Sequence, residues 1–262
     1  MTVNNISAKL IVWFIIGSTQ TVSLFARHTN QVGLHLNLTQ TVYYDEAVSF
    51  HRFSHTGIHP FEIRFQHQGQ RSRQTVSLYY RSERLEPVHA DENSLQDFLD
   101  LSTACLELRY ERKCRDCVSG RLEIWAGGSV KSSADWGERR FQKLYSGAYS
   151  AETFDMNYLA GWIQAACFYR STSNSRLEVI AGIPVFSLHP RIYNSRLSVS
   201  EHSTVVKSGL SSRGFRAELA WSWSHHRWVF QTYYRLQYTR SHDPYLKKHR
   251  LSGLGTGVYY AF

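Results

Sequence analysis

The chain closes on GVYYAF, residues 257–262. Val258, Tyr260 and Phe262 alternate with Gly257 and Ala261, a period of two. Chain ends are usually polar and frayed. A period of two belongs to a strand whose two faces meet different surroundings. Read this way, the segment is a strand with an apolar outer face and a small-residue inner one, and it needs a neighbouring strand to pair with.

The same alternation recurs upstream. Leu34, Leu36, Leu38 and Val42 alternate with His35, Asn37, Thr39 and Thr41; Phe61, Ile63 and Phe65 with Glu62, Arg64 and Gln66; Val76, Leu78 and Tyr80 with Ser77, Tyr79 and Arg81. Ala104, Leu106, Leu108 and Tyr110 oppose Cys105, Glu107, Arg109 and Glu111, and Leu122, Ile124 and Ala126 oppose Glu123 and Trp125. In the second half, Leu159, Ile163, Ala165, Cys167 and Tyr169 oppose Trp162, Gln164 and Arg170. Leu177, Val179, Ala181, Ile183 and Val185 oppose Glu178. Phe215, Ala217, Leu219, Trp221 and Trp223 oppose Arg216, Glu218, Ser222 and Ser224, and Trp228, Phe230, Leu236 and Tyr238 oppose Gln231, Tyr233, Arg235 and Gln237. With the closing segment (Leu254 to Phe262) that makes about ten strands, each expected to have roughly the 9–11 residues that a tilted strand needs to cross a bilayer.

Composition fits this reading. Of 262 residues, 42% are hydrophobic and 19% charged, which is a folding composition, and aromatics reach 14%. The mean hydropathy is negative, which excludes a bundle of membrane helices. It does not exclude a membrane barrel, where only every second residue faces lipid. Connections near 69–73, 113–120, 171–176 and 225–227 are short, and those near 45–59, 83–99, 131–156, 187–212 and 241–250 read as longer loops. Tyr110, Tyr169, Trp221, Trp223, Trp228, Tyr260 and Phe262 gather at the short-turn ends; Tyr44, Phe61, Tyr80, Phe215 and Tyr238 gather at the other. Two rings of aromatics are what the two membrane interfaces favour. A secreted soluble all-β protein, such as a lipocalin-like barrel, is the rival reading of the same strands.

Near the start, Lys9 precedes the apolar run Leu10–Ile16, followed by small and polar residues to Ala26. The run is too short to span a bilayer. It reads as a signal peptide over residues 1–26, leaving 27–262 as the barrel.

The chain resembles the bacterial outer-membrane β-barrel proteins, and its end is similar to their C-terminal assembly signal, with Gly257, Tyr260 and Phe262 in the matching places. Gly255 stands where that family usually has a polar residue. The resemblance implies a transmembrane antiparallel up-and-down barrel in the outer membrane, with short periplasmic turns and longer extracellular loops. It also implies recognition by the barrel-assembly machinery, and contact with outer-membrane lipid and lipopolysaccharide. Pro184 conflicts with a paired strand interior, because it has no N–H to give. It is expected near the upper rim. Asn37-Leu38-Thr39 has the form of a glycosylation sequon but falls within a strand.

The inner face carries Glu62, Glu107, Glu111, Glu123, Glu178 and Glu218 with Arg64, Arg81, Arg109, Arg216 and Arg235. Isolated charges in a narrow lumen would be costly, and barrels of this strand number are narrow. A paired charge network filling the lumen is expected, giving a structural or surface-interaction role. A narrow charge-lined channel is the alternative. An outer-membrane hydrolase, a protease or a lipid-modifying enzyme, comes third, with Ser54, His55, His242 and Asp243 as candidates at the outer rim. Eight histidines (His51, His55, His59, His89, His189, His202, His242 and His249) fall in the expected outer loops. They show no ligand spacing and read as solvated, so neither a metal nor a cofactor is assigned. Cys114 and Cys117 lie in a short turn facing an oxidising compartment and are candidates for a local disulfide. The net charge of +9 suits phosphate-bearing lipid at the surface through Arg191, Arg196, Lys207, Lys247, Lys248 and Arg250. Nucleic acid is not an expected partner behind a signal peptide, and a monomer is expected.

Overall fold

The computed structural model describes residues 29–45, 49–88, 98–117, 121–142, 149–188, 191–195, 203–207, 212–242 and 246–262. Residues 1–26 lie outside them. The strands are β1 (Thr29–Asp45), β2 (Ser49–Gln68), β3 (Ser72–Pro87), β4 (Phe98–Cys117), β5 (Leu122–Gln142), β6 (Tyr149–Arg170), β7 (Ser175–Leu188), β8 (Arg191–Ser195), β9 (Ser203–Lys207), β10 (Ser212–His225), β11 (Trp228–His242) and β12 (Leu246–Ala261). Among the described residues no helix is long and apolar enough to cross a membrane.

Ten strands close a ring. β1 to β7 pair in sequence order, β7 pairs with β10, and β10, β11 and β12 lead back to β1. Every pairing is antiparallel, so the sheet closes on itself as an up-and-down barrel. The closing seam places Leu34 opposite Val258 and Val42 opposite Arg250. Its last backbone bond runs from Phe262 N–H to Asn30 O, 2.9 Å. The hairpin β8–β9 stands outside the ring, extending the sheet beside β6 at residues 152–156, beyond the reach of β7.

The alternation becomes two surfaces. Leu34, Leu36, Leu38, Ile63, Val130, Ile163, Val179, Leu219 and Leu254 are exposed on the outer wall. Their neighbours His35, Glu62, Arg64, Ser129, Gln164, Glu178 and Glu218 are buried inside. Toward the short-turn end the wall carries exposed Tyr110, Tyr169, Trp221, Trp223, Trp228 and Phe262; toward the other end it carries Tyr80, Trp136 and Phe215. Tyr80 and Trp136 stack with ring centroids 6.1 Å apart.

The strands are longer than the sequence pattern suggests, 14 to 22 residues in the ring. The stretches read as loops at 45–59, 131–156 and 241–250 are largely paired ladder. Beyond Tyr80 and Trp136 the outward side chains turn polar: Arg84 pairs with Asp100 at 2.8 Å, and Ser82 meets Ser102 at 3.0 Å. A polar outer face reads as loop in a sequence, but here the ladder continues past the apolar belt, with Leu85, Leu99 and Leu101 turned inward.

Two prolines mark irregularities. At β6–β7, Gly161 pairs with Phe186 and Trp162 with Pro184, which leaves Val185 as the extra residue of a bulge; β10 has already left β7 at Gly182. At β1–β2, His35 pairs with Glu62 but Asn37 with His59, a bulge at Pro60. This second bulge inverts the phase of β2. Below it even-numbered side chains point inward, and above it odd-numbered ones do, so Phe53 and His59 are buried.

Candidate functional site: a charge-filled lumen

The inward positions of the ten strands meet in connected layers. Nearest the short turns, Glu123 accepts from Trp125 Nε1 at 3.1 Å and from Arg170 at 3.3 Å, and pairs with Lys113 at 3.0 Å. Burial works against the charge on Lys113, but its bonds to Glu123 and Asp116 outweigh that and hold its pKa above the usual value.

Further in, Arg73 bridges two carboxylates. Its guanidinium donates to Glu111 at 2.5 Å and pairs with Glu178 at 2.7 Å, while the other oxygen of Glu111 accepts from Gln164 at 2.5 Å. Arg73 and Arg176 both lie over the ring of Phe168, 4.4 and 4.7 Å from its centroid. Arg216 reaches Glu107 at 2.5 Å, Ser129 at 2.9 Å and the carbonyl of Gln164, and Arg109 stands 3.7 Å from Glu107. Gln164 therefore ties the Arg73 layer to the Arg216 layer.

On the facing wall four charges form a closed cycle. Arg64 pairs with Glu62 at 2.6 Å and with Glu218 at 3.8 Å; Arg235 pairs with Glu218 at 2.9 Å and with Glu62 at 3.6 Å. Arg64 and Arg235 also lie over the ring of Tyr233, whose hydroxyl donates to Asn37 and reaches Glu62. Above this, Arg81 binds Glu83 at 3.0 Å and Thr41 at 3.2 Å, and approaches His249 at 3.3 Å. Higher still, the interior turns apolar: Tyr43, Phe53, Leu85, Leu99 and Leu101 pack together with at most 2% exposure.

The bridges cross the barrel. Arg64 to Glu218, Arg73 to Glu178 and Arg216 to Glu107 each join strands four places apart on a ring of ten. Long side chains from nearly opposite walls thus meet in the middle. Two described voids between them are small, about 40 Å³ beside Glu62 and Arg81 and about 20 Å³ beside Glu107 and Arg216; a larger and more open space of about 710 Å³ lies against the wall at Arg109, Ser129 and Trp162 with the outward-facing Val76, Leu108, Val130 and Ile163. A water needs at least ~10–15 Å³, so the two small spaces have room for a few waters at most and not for a column.

The structure places all eleven charged residues expected in the lumen on the inner wall, each in one of these contacts. Sequence reading missed Arg73, Lys113, Glu83 and Arg176. Arg73, Lys113 and Glu83 sat in segments read as turn or loop, and Arg176 was placed in a turn. It also missed the inward apolar cluster, because Phe53 and Leu99 fell in expected loops.

Of the rim candidates, Ser54 and His55 point apart. Ser54 pairs with Val42 on the outward register, whereas His55 pairs with Thr41 and faces inward. Neighbours on a strand point apart, and the bulge at Pro60 decides which faces in. The side chain of His242 and all of Asp243 lie outside the described residues. His55, His59 and His249 are not in loops, as their sequence suggested, but on β2 and β12. His59 is buried, and His55 lies 6.3 Å from it, ring to ring. Among the described residues no group of three or more His, Cys, Asp or Glu could hold a metal. Cys114 is exposed and its thiol is free in the structure, donating to Arg112 O at 3.6 Å and making no disulfide; the side chain of Cys117 is outside the described set. At the end of β12, Gly257 is buried against His35, Tyr260 lies 5.1 Å from Trp228 ring to ring, and Phe262 lies 6.5 Å from Phe65.

No protein-family model matches the chain, and no curated protein does. Among solved structures, the chain is similar to the translocator domain of the autotransporter NalP from Neisseria meningitidis, at 10% identity over 98% of this chain and 96% of that one, with a TM-score of 0.48. It is similar to the P. putida toluene transporter TodX, at 9% identity over 89% of each chain, TM-score 0.36. A third likeness is to Ail of Yersinia pestis, solved with the heparin analogue sucrose octasulfate, at 10% identity over 89% of this chain and 99% of that one, TM-score 0.33.

Proposed function

We propose that the chain is an integral outer-membrane β-barrel with a closed interior, serving a structural or surface-interaction role and not diffusion through a pore. The carrying observation is the cycle Glu62–Arg64–Glu218–Arg235, which spans the barrel with every charge answered. Membrane insertion is supported by the exposed apolar wall between two aromatic rims, a surface that a soluble barrel would have to hide. On this reading the short turns lie in the periplasm and the extended strands rise from the outer surface. Tyr260 and Phe262 sit at the periplasmic interface with Gly257 facing inward, as an end recognised by the barrel-assembly machinery would present them. Exposed Arg250, and Lys248 over the ring of Tyr44 at 5.7 Å, mark the outer half of the closing seam, where lipopolysaccharide phosphates would lie.

Two measurements test this. Cell fractionation with heat-modifiable gel mobility is expected to place the folded protein in the outer membrane, and recovery as a soluble protein would overturn the membrane reading. Reconstituted wild-type protein in a planar bilayer is expected to be electrically silent. A large, stable open conductance would replace the closed-barrel reading with the transport one.

A further inference from the structure

Between the pairs Ser54–Glu86 and Phe61–Tyr80, no backbone pairing joins β2 to β3. Both strands stay paired on their other sides, with His55 to His59 against β1 and Arg81 to Leu85 against β4. Residues 55–60 and 81–85 therefore face each other across an open seam. Pro60 begins it, since it has no N–H for the ladder. Unpaired backbone within hydrocarbon is costly and persists only where water or a polar group reaches it. The seam lies at such a level. Its lower end is flanked outside by exposed Ile58, Leu38 and Tyr80, and its upper end by exposed Thr56, Ser82 and Arg84. It straddles the upper edge of the apolar belt.

Behind the seam is the cavity of about 40 Å³, lined from the inside by Thr39, His59, Glu62 and Arg81 and from the outer wall by Tyr80. The cavity thus adjoins the unpaired stretch, with Tyr80 contributing from the strand that borders it. His59 Nε2 and Thr39 Oγ1 are buried there with no hydrogen-bond partner, which is costly unless something accepts from each.

We infer that the β2–β3 seam is a lateral binding site for a single-chain amphiphile with a small oxygen-bearing head. The chain lies along Ile58 and Tyr80 in the apolar layer. The head passes through the seam, accepts hydrogen bonds from His59 and Thr39, and lies beside Arg81. The volume fits a head of roughly two or three water-sized groups, such as a carboxyl, and excludes a phosphodiester head. Below it the Glu62–Arg64–Glu218–Arg235 cycle closes the lumen, so the seam is a terminal site and not a route through the barrel.

This inference rests on the membrane reading, and the experiment separates the two. The mature chain is inserted into phosphatidylcholine nanodiscs and titrated with an undecanoic acid carrying a dansyl group at the end of its chain. Continuing the Ser54–Glu86 register places Ile58 opposite Ser82, both facing outward, so Ile58→Cys with Ser82→Cys staples the seam on oxidation. One saturable site per chain is expected in the wild type and the reduced variant. Binding should weaken at least about tenfold on oxidation and return on reduction. Thr39→Val, which removes one donor at nearly constant shape, should weaken binding about five- to tenfold. Unchanged affinity in the oxidised variant overturns the site, as does unchanged affinity in Thr39→Val where the staple does not form, or absence of saturable binding by inserted, heat-modifiable protein. Failure of the membrane reading shows differently, as protein that never enters the discs.

Discussion

Gly257 lies against the imidazole of His35 across the seam that closes the barrel, where the two residues pair directly and a Cβ on Gly257 would occupy the ring of His35. Gly255 stands in the same relation to Tyr233. The alternating glycines of the last strand are thus spaces for the large inward side chains of β1 and β11.

From this, Gly257→Ala should lower the stability of the assembled barrel by about 1–3 kcal/mol through overpacking. His35→Ala in the same chain should recover most of that loss. A double-mutant cycle from guanidinium unfolding in detergent checks it, with a coupling energy above about 0.5 kcal/mol expected for residues in contact. Independent, additive effects would show that Gly257 is needed for another reason.

The charge cycle gives a second expectation. Arg235→Ala leaves Glu62 and Glu218 each short of a partner in a buried site. Breaking one member of a buried network typically costs about 3–5 kcal/mol. The unfolding midpoint should fall accordingly, while Arg84→Ala, which breaks the exposed Arg84–Asp100 pair, should leave it nearly unchanged. If the two substitutions prove equally mild, the cycle does not hold the walls together.

The end of the chain separates assembly from stability. Phe262 is exposed and makes one backbone bond, to Asn30. Deleting it should slow insertion in cells strongly while lowering the unfolding midpoint of whatever assembles only slightly. Pulse-labelled appearance of the heat-modifiable form measures the first, and denaturant titration the second. Normal insertion without Phe262 would remove its role as an assembly signal.

For the cysteines, trypsin cuts after Lys113 and Arg115, so a Cys114–Cys117 disulfide should hold Cys114-Arg115 and residues 116–121 together in the unreduced digest, and reduction should separate them. Cys105 and Cys167 lie on β4 and β6 with their thiols free, so they should remain alkylatable after unfolding. Four alkylatable thiols in unreduced protein would dismiss the bridge.

The strands and their two faces were legible in the sequence because a period of two records, residue by residue, which medium each side chain meets. Leu34, Leu36 and Leu38 against His35 and Asn37 state this without a partner in view, and so do Leu219 and Trp221 against Glu218 and Ser222. The aromatic rims and the inward placement of Glu62, Arg64, Glu107 and Arg216 follow from the same pattern. Strand length was not legible. Once Ser82, Arg84, Asp100 and Ser102 make the outer face polar, a ladder standing in water looks like a loop.

What only the tertiary structure decided is which residues meet. Arg73 finds Glu178 over a hundred residues away because ring closure brings β3 and β7 to nearly opposite walls, and no local pattern encodes that distance. The bulge at Pro60 reverses the faces of β2, so Phe53 joins an inner apolar cluster, His59 enters the cavity, and Ser54 turns away from His55. Sequence alone determined the alternation, because burial acts on each residue separately. The pairings, the phase change and the β2–β3 seam depend on register and closure, which are properties of the whole sheet.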